Sequence, residues 1–247
     1  MNRPVLRLLL FLVCATAGQS QISLPAREKL EYTVEWRLIT AGKVQLGWSA
    51  NPDKAGWQTK VHIESTGLVS KLFKVRDDYT STLNEDLCVT SSLLVSEEAR
   101  RRRETRVTFD PSTRKAIYRE KDLDTNAMVK STEIDIPSCV HDVFGALFLL
   151  RTLRLDPGQS TQMPISDGKK SVSARVEAQA RETVKTPSGT YKTIRYEAFL
   201  FNDVLYRRSA HLYFWLSDDG RRLPVQIRVK MQFTIGTITL QLENEQS

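Results

Sequence analysis

The chain has 247 residues, of which 40% are hydrophobic and 26% are charged, and its formal net charge is +7. A chain of this length can bury a sizeable core without disulfides or metals, and the modest positive charge favours acidic surfaces without requiring them. The sequence carries no nucleic-acid-binding motif, so we expect no nucleic acid among the partners.

The first residues, MNRPVLRLLLFLVCATAGQSQ, have the three parts of a secretory leader. Arg3 and Arg7 form a basic start, residues 8–13 an apolar centre, and residues 15–17 a small-residue cleavage site. No stretch approaches the roughly 20 apolar residues that a transmembrane helix needs, so we expect no transmembrane segment. We predict a signal peptide over residues 1–17, or to about residue 21, and a periplasmic or secreted protein. Cleavage removes two arginines and lowers the net charge to +5.

Three cysteines are present, and Cys14 lies in the predicted leader. Val13 before it is a poor match to the small residues that precede a lipidated cysteine. Cys88 and Cys139 remain, and two cysteines in an oxidising compartment most simply form one disulfide. The chain has only three histidines and lacks C-x-x-C and H-E-x-x-H motifs, so we expect neither a metal site nor a cofactor.

The mature chain, residues 22–247, is predicted to form about a dozen short strands, because apolar and polar residues alternate along many segments. The clearest are KLEYTVEWRL (residues 29–38), SVSARVEAQAR (171–181) and LPVQIRVKMQF (223–233). The segment TGLVSKLFK (66–74) is predicted to be a helical turn between two strands.

Glycine-containing dipeptides separate several of these strands, at residues 167–168, 188–189 and 219–220. Each supplies the glycine that tight hairpin turns favour, so the sheet should be antiparallel. No Gly/Ser-rich or Pro-rich linker divides the chain, and we therefore expect one domain.

One segment, PSCVHDVFGALFLLRTL, is typical of a helix, which we predict over residues 139–153. Ser138 or Asp135 would cap it, and Asp142 lies near its first turn, where a negative charge is favoured. Its apolar residues cover almost the whole circumference, and such a helix is buried on nearly all sides. The predicted fold is therefore mainly β: a strongly curved antiparallel sheet, or open barrel, wrapping one buried apolar helix.

Three segments together resemble a known family of exported bacterial proteins. They are the first strand EKLEYTVEWRLITAGKVQL, a D-x(8)-R helix from Asp142 to Arg151 followed by LRLDPGQ, and the ending WLSDDGRRLPVQIRVKMQFTIGTITLQL. The family is domain of unknown function 3108, and the similarity covers most of the mature chain. The resemblance implies a bacterial envelope location and an antiparallel β-rich fold, and it brings no catalytic residues.

The neighbours His141 and Asp142 are a candidate catalytic pair. Successive side chains on a helix point about 100° apart, so these two cannot orient one another as a dyad. We interpret Asp142 as a charge near the helix start and His141 as a neighbour of the disulfide; a catalytic role is the alternative.

The run EEARRRRETRVTF suggests an anion site. If this strand keeps the phase of Val107 and Phe109, Arg101 and Arg103 share the core-facing side. Because unpaired core arginines are too costly, both must lie at a wet rim, pair with acids or belong to a loop. Two guanidinium groups at a rim would suit phosphate or carboxylate. The alternative is a solvated hairpin tip with residues 97–98, both glutamates, as partners.

The segment RRSAHLYFWL carries bulky residues on both faces. His211, Tyr213 and Trp215 alternate with a fully apolar set on the other face. Such a strand is either covered on both sides or lines a cavity with its amphipathic side. We keep both interpretations, and place a ligand site here if one exists.

We therefore predict a non-catalytic binding or envelope-assembly protein whose ligand is amphipathic or anionic: a lipid, an amphiphile or a polysaccharide of the envelope. The candidate binding residues are Arg101, Arg103, His211, Tyr213 and Trp215. The alternatives are a hydrolase or lyase acting on envelope polysaccharide, and a scaffold that offers a sheet edge to another protein. A binding protein predicts an elongated apolar cavity whose opening carries Arg101 or Arg103, whereas an enzyme predicts titratable groups that converge in a cleft.

Overall fold

The computed structural model describes residues 24–231 and 236–246. The predicted leader, Cys14 and Phe233 lie outside these residues. Within them the fold is mainly β, with two helices, α1 (Gly67–Leu72) and α2 (Val143–Thr152).

The strands before α2 are β1 (Arg27–Trp36), β2 (Ile39–Ala50), β3 (Trp57–Ser65), β4 (Val75–Leu83), β5 (Val89–Glu98), β6 (Arg101–Asp110), β7 (Lys115–Asp122) and β8 (Met128–Asp135). The strands after it are β9 (Ser160–Ser166), β10 (Ser171–Thr186), β11 (Gly189–Ala198), β12 (Ala210–Ser217), β13 (Pro224–Met231) and β14 (Thr237–Gln246). The sequence predicted about a dozen strands, and the described residues form fourteen.

All fourteen strands belong to one sheet, in the order β8-β7-β6-β5-β4-β3-β2-β1-β14-β13-β12-β11-β10-β9. Every pairing is antiparallel, and each neighbour except the β1–β14 pair is also the next strand along the chain. The antiparallel β prediction is therefore confirmed. β8 and β9 form the two edges and do not pair with each other, so the sheet is open.

The sheet curls far enough for its two halves to touch. The hairpin tip between β9 and β10 packs on β6, although several strands separate them in the sheet. Gly168 at this tip has φ +82°, and a Cβ built on it would lie 2.5 Å from Val107 Cγ1. Lys169 Nζ lies 5.0 Å from the centroid of the Tyr118 ring on β7. Glycine is needed here both for the left-handed backbone and for the close approach.

α2 begins four residues later than predicted, at Val143 rather than at 139, and its cap is Asp142 rather than Ser138 or Asp135. The preceding segment is extended because its backbone bonds to strands on both sides. Val140 O accepts a hydrogen bond from Val89 N at 2.8 Å, and His141 forms a parallel bridge with β9. Helix periodicity alone cannot reveal such competing partners.

The core combines one face of the sheet with most of α2. Six helix residues are buried: Gly145, Ala146, Leu147, Phe148, Leu150 and Arg151. Phe148 stacks on Trp48 with ring centroids 4.2 Å apart, and Trp48 stacks on Trp57 at 4.7 Å. Val143 and Phe144 are only partly buried, so the first turn of α2 is not enclosed as the rest is.

Candidate functional site

A disulfide fixes the segment that leads into α2. Cys88 and Cys139 are bonded, with Cα atoms 5.2 Å apart, so the predicted disulfide is confirmed. The same segment is held to β9 by two backbone bonds, from His141 N to Pro164 O at 2.9 Å and from Ser166 N to His141 O at 3.0 Å. The start of α2 is therefore tethered to both halves of the sheet.

His141 is buried beside this disulfide. Its Nδ1 lies 2.8 Å from the Leu87 carbonyl oxygen and therefore donates the proton, while Nε2 lies 3.9 Å from Cys139 Sγ. Burial lowers the pKa of His141, which keeps the ring neutral. These contacts agree with the interpretation of His141 as a structural neighbour of the disulfide.

Asp142 faces a different set of partners. Its Oδ1 accepts a hydrogen bond from Gly145 N at 2.7 Å, which caps the helix, and its Oδ2 accepts one from the Tyr79 hydroxyl at 2.5 Å. Burial first, and then the Asp142 charge, raise the pKa of Tyr79 well above its usual value, so Tyr79 remains a donor. Asp142 thus joins α2 to β4.

The end of α2 is anchored by Arg151, the last residue of the D-x(8)-R spacing. Its guanidinium meets both carboxylate oxygens of Glu28, at 2.5 and 2.9 Å, and donates to the carbonyl oxygens of Arg222 and Arg221 at 3.0 and 3.1 Å. All these donors are engaged although Arg151 is fully buried, which is the condition for tolerating a buried charge. Asp142 and Arg151 therefore fasten the two ends of the helix.

An apolar cavity of about 360 Å³ adjoins the first turn of α2, and we call it the inner cavity. Its apolar lining comes mainly from β5, β6 and α2: Leu94, Val107, Phe109, Val143 and Phe144. The polar groups that face it include Tyr79, Asp142, Tyr118 and Lys169. This volume falls within the roughly 300–1,000 Å³ typical of small-molecule sites. An apolar lining with a few polar groups is also typical of such sites.

The opposite side of α2 is closely packed. Between the helix and β9–β12 only about 20 Å³ is open, in a pocket bounded by residues such as Leu147, Met163 and Phe214. A void of this size holds no more than a water molecule. Space for a ligand beside the helix therefore lies on the β4–β7 side.

A second, polar cavity of about 390 Å³ continues along β6 and β7, and we call it the rim cavity. Thr105 and Tyr118 line both cavities, so the two are adjacent. Arg101, Arg103 and Glu120 line the rim cavity only. The two arginines chosen from the sequence therefore line the cavity next to the apolar one.

The charges at the rim are balanced, because Arg103 pairs with acids, one of the arrangements that the sequence left open. Arg103 lies 3.3 Å from Asp122 and 3.7 Å from Glu120, while Glu98 pairs opposite Arg101 across the strands. Arg103 Nη1 is nevertheless buried without a hydrogen-bond partner within the described residues. A ligand oxygen that accepted a hydrogen bond from this nitrogen would therefore be bound more tightly.

The run of arginines lies in large part at a solvated hairpin tip, as the alternative supposed, because residues 100–102 are exposed at the β5–β6 turn. Arg103 is partly buried on the face that carries Val107, as the alternation predicted, while Arg101 is exposed at the strand start. Glu97 pairs with Lys74 at 2.8 Å instead of with an arginine.

His211, Tyr213 and Trp215 lie on the outer face of β12, because the residues alternating with them, such as Phe214, contact α2. His211 Nδ1 lies 2.7 Å from Glu197 Oε1, and Trp215 Nε1 donates to Glu182 Oε2 at 3.0 Å. The arginine and aromatic groups selected from the sequence are therefore not brought together.

The outer-face residues of β10–β13 cover one another. Arg228 lies over the Trp215 ring at 5.0 Å, and Arg195 lies over Tyr213 at 6.0 Å. These cation–π contacts and the carboxylate partners explain how Trp215 is buried on an outer face. Cover therefore comes from side chains of the same sheet, and the described N-terminal residues are not needed for it.

A polar hollow of about 570 Å³ lies mainly on the outer face of β1–β4, around Gly47, Lys60 and His62. It lacks the largely apolar lining of the inner cavity. In residues 24–231 and 236–246 there is also no cluster of His, Cys, Asp and Glu that could hold a metal ion. No helix among these residues is long and apolar enough to cross a membrane.

Sequence reasoning selected Arg101 and Arg103 and expected an apolar cavity behind them, but it did not name the residues that line the inner cavity. Tyr79 and Tyr118 carried no special signal, since each is one aromatic in an alternating strand. The phase of Val107 and Phe109 indicated the inward face of β6, but only the curl of the sheet shows that this face encloses space.

The comparisons identify a family and a fold. The pattern that defines the family "Protein of unknown function (DUF3108)" matches residues 31–243. No curated protein matches the chain. A β-barrel-like protein of the domain of unknown function DUF1849 from Brucella abortus has a similar structure, with a TM-score of 0.58 at 9% identity, over 90% of this chain and 98% of that one.

Two more distant structures overlap only loosely. One is a proposed exported protein with a YmcC-like fold from Bacteroides fragilis, with a TM-score of 0.34 at 14% identity, over 89% of this chain and 95% of that one. The other is a proposed lipoprotein from Parabacteroides distasonis, with a TM-score of 0.32 at 10% identity, over 90% and 97%.

Proposed function

We propose that this chain, which belongs to the DUF3108 family, is an exported, non-catalytic binding protein for an amphipathic molecule. The apolar part of the ligand occupies the inner cavity, and its polar end occupies the rim cavity. The observation that carries the proposal is that Thr105 and Tyr118 line both cavities, which places the apolar and the polar space side by side. In this interpretation the curled sheet wraps α2 as a single domain, and the predicted leader directs the protein to the envelope.

The polar end of the ligand is assigned an acceptor oxygen, such as that of a carboxylate or phosphate. Arg103 Nη1 is buried without a hydrogen-bond partner among the described residues, and the nearest carboxylate oxygen, on Glu120, is 3.7 Å away. A charge-assisted bond to this nitrogen is worth about 1.5–3 kcal/mol. Arg101, which makes no ion pair with another described residue, adds an exposed positive charge at the same opening.

The ligand enters through the rim and the helix stays in place. α2 is tethered at its start by the disulfide and by Asp142, and at its end by Arg151. Moving the helix would break a buried ion pair, which costs several kcal/mol. The rim cavity, in contrast, adjoins the inner cavity and is lined by the exposed Arg101, so entry there leaves the helix in place.

The hydrolase alternative has less support. Glu197 could orient the His211 imidazole as the carboxylate partner of a general base does. Both residues, however, lie on the outer face of the sheet, away from the inner cavity and the rim cavity. A scaffold would use a sheet edge, and the β8 edge carries charged side chains such as Lys130 and Glu133, which discourage strand addition.

The test is a titration of the exported protein, purified in detergent-free buffer, with a fluorescent long-chain fatty acid and with the alcohol of equal chain length. We expect saturable binding of both, with the acid tighter. Thr105→Phe, which narrows the junction of the cavities, should weaken both ligands about tenfold or more. Arg103→Gln should weaken only the acid, by about tenfold.

Arg106→Gln is the matched control, because Arg106 lies on the same strand but on the opposite, exposed face and pairs with Glu104. It should leave both affinities unchanged. The proposal is wrong if neither ligand binds saturably, or if Thr105→Phe leaves both affinities as they were. Mass spectrometry of organic extracts from the native protein would then identify the natural amphiphile or show that none is carried.

A further inference from the structure

One end of the sheet gathers the connections between alternate strands. Because neighbouring strands are antiparallel, the β1–β2 turn, α1, the β5–β6 turn and the β7–β8 connection all lie at the same end. We call this the α1 end. Ala99 N donates to Lys74 O at 2.7 Å and Leu123 N donates to Arg102 O at 3.0 Å, which joins successive connections along it.

The exposed apolar residues are concentrated at this end. Seven large apolar side chains in the described residues are exposed, and all of them belong to the α1 end: Leu38, Ile39, Leu68, Leu72, Phe73, Met128 and Val129. Leu38 is 96% exposed and Leu72 75%. Single exposed apolar residues are common on proteins, but seven of them at one end of a sheet point to an interaction site there.

α1 is unusual in that none of its residues is buried. A helix of six residues is too short to be stable alone and normally depends on an apolar face packed against the core. Here Leu68 and Leu72, one turn apart, point their side chains towards solvent instead. The helix therefore has an apolar face that nothing among the described residues covers.

Positive charge accompanies the apolar residues. Lys71, Arg100 and Arg101 are exposed at this end and make no ion pair with another described residue. Arg102 and Lys74 are also there, each paired with one acid. Protruding apolar side chains near unpaired cations complement an anionic lipid surface, because the cations are attracted to the charged headgroups and the apolar groups enter the headgroup region.

We infer that the α1 end docks on the surface of an anionic lipid bilayer. The apolar residues are distributed over several separate connections. A deformable lipid surface can accept them, whereas a rigid protein partner would need a surface of matching shape. Val129 and Arg101 also line the rim cavity. Docking therefore turns the opening of the ligand site towards the lipid, and this consequence, though not the docking itself, rests on the proposed function.

The test is co-sedimentation of the exported protein with vesicles of phosphatidylcholine alone or mixed with phosphatidylglycerol. We expect binding to the mixed vesicles that weakens as salt is raised. Leu72→Gln should lower the partition coefficient about tenfold, and Leu38→Gln should act in the same direction. Lys71→Glu should lower it several-fold on mixed vesicles and leave the weak binding to phosphatidylcholine unchanged.

Lys54→Glu is the matched control, because Lys54 is exposed in the β2–β3 turn at the opposite end of the sheet. It should leave binding to either vesicle unchanged. The inference is overturned if mixed vesicles do not bind the protein, or if Leu72→Gln and Leu38→Gln bind like the unaltered chain. It is also overturned if sedimentation shows a dimer that Leu72→Gln dissociates, since the apolar face would then be covered by a second copy.

Failure of the docking and failure of the proposed function can be separated. Soluble fatty acid is titrated without vesicles, and there Leu72→Gln should bind like the unaltered protein while Thr105→Phe does not. A protein that binds fatty acid but no vesicles contradicts only the docking. A protein that binds vesicles but no fatty acid contradicts only the amphiphile site.

Discussion

Arg151, in the last turn of α2, and Glu28, the second residue of β1, form a two-point ion pair in the core with nitrogen–oxygen distances of 2.5 and 2.9 Å. The two residues are 123 positions apart in the chain. Two further hydrogen bonds run from Arg151 to backbone carbonyls, so each of its three guanidinium nitrogens has an acceptor. It defines where the helix ends against the sheet.

Arg151→Met should lower the free energy of unfolding by about 3–5 kcal/mol, since it leaves the Glu28 carboxylate buried without its partner. Urea denaturation at neutral pH measures this. Arg181→Met, at an exposed arginine that pairs with Asp156 and Asp218, is the control and should cost no more than about 1 kcal/mol. A double change to Arg151→Met and Glu28→Leu should cost much less than the single changes added together; additive costs would contradict the coupling.

Replacing Cys88 and Cys139 together by serine should lower the free energy of unfolding by up to about 4 kcal/mol. The disulfide closes a loop with a sequence separation of 51, and its removal frees the unfolded chain. Hydrogen exchange should also speed up at the start of α2. Reduction of the unaltered protein should reproduce the urea midpoint of the double variant, and an unchanged midpoint on reduction would contradict this role.

Ionisation of Asp77 should lower the free energy of unfolding as the pH rises from about 4 to 7. Burial, and next the nearby Glu98, raise the pKa of Asp77 to about 6, whereas in the unfolded chain it titrates near 3.8. The folded state thus binds the proton more tightly, and this advantage is lost as the pH rises through the folded pKa. Because Asp77 is only half-buried, we expect a cost of about 1 kcal/mol, well below the full value of the shift.

Asp77→Asn should therefore stabilise the protein by about 1 kcal/mol at pH 7.5 and have little effect near pH 4. Asn Oδ1 can still accept the hydrogen bond from Glu97 N. Urea melts at the two pH values measure the difference. Asp53→Asn, in the exposed β2–β3 turn, is the control, and equal stabilisation by both variants would show that the effect is only one of net charge.

Gly168→Ala should destabilise the protein more than Gly158→Ala. Both glycines have positive φ, +82° and +90°, so both alanines pay about 1 kcal/mol for the backbone. Only at Gly168 does the added Cβ meet a neighbour, Val107, which adds about 1–3 kcal/mol for overpacking. Val107→Ala in the Gly168→Ala chain should recover part of this loss; if it recovers none, the hairpin tip does not pack there in solution.

Several features followed from local pattern. Alternation predicted the strands and the antiparallel hairpins, and the phase of Val107 and Phe109 predicted that Arg103 shares their face. The count of cysteines predicted the Cys88–Cys139 bond. The strand features depend only on residues close together in the chain, and the disulfide was predictable because only two cysteines remain outside the leader. The predicted start of α2 was wrong, because residues 139–142 bond to Val89 and to β9 instead of making helical hydrogen bonds.

Local pattern is enough to predict which faces of the strands are apolar, which segment contains the helix and which cysteines pair, because period and composition act over a few residues. The folded structure is needed to see that Glu28 meets Arg151 and that Gly168 meets Val107. It is also needed to see that the inward face of β6 borders an open cavity while the other side of α2 is packed. These contacts depend on how far the sheet curls. The curl is the accumulated twist between neighbouring strands of a fourteen-stranded sheet, so it cannot be predicted from any short stretch of sequence.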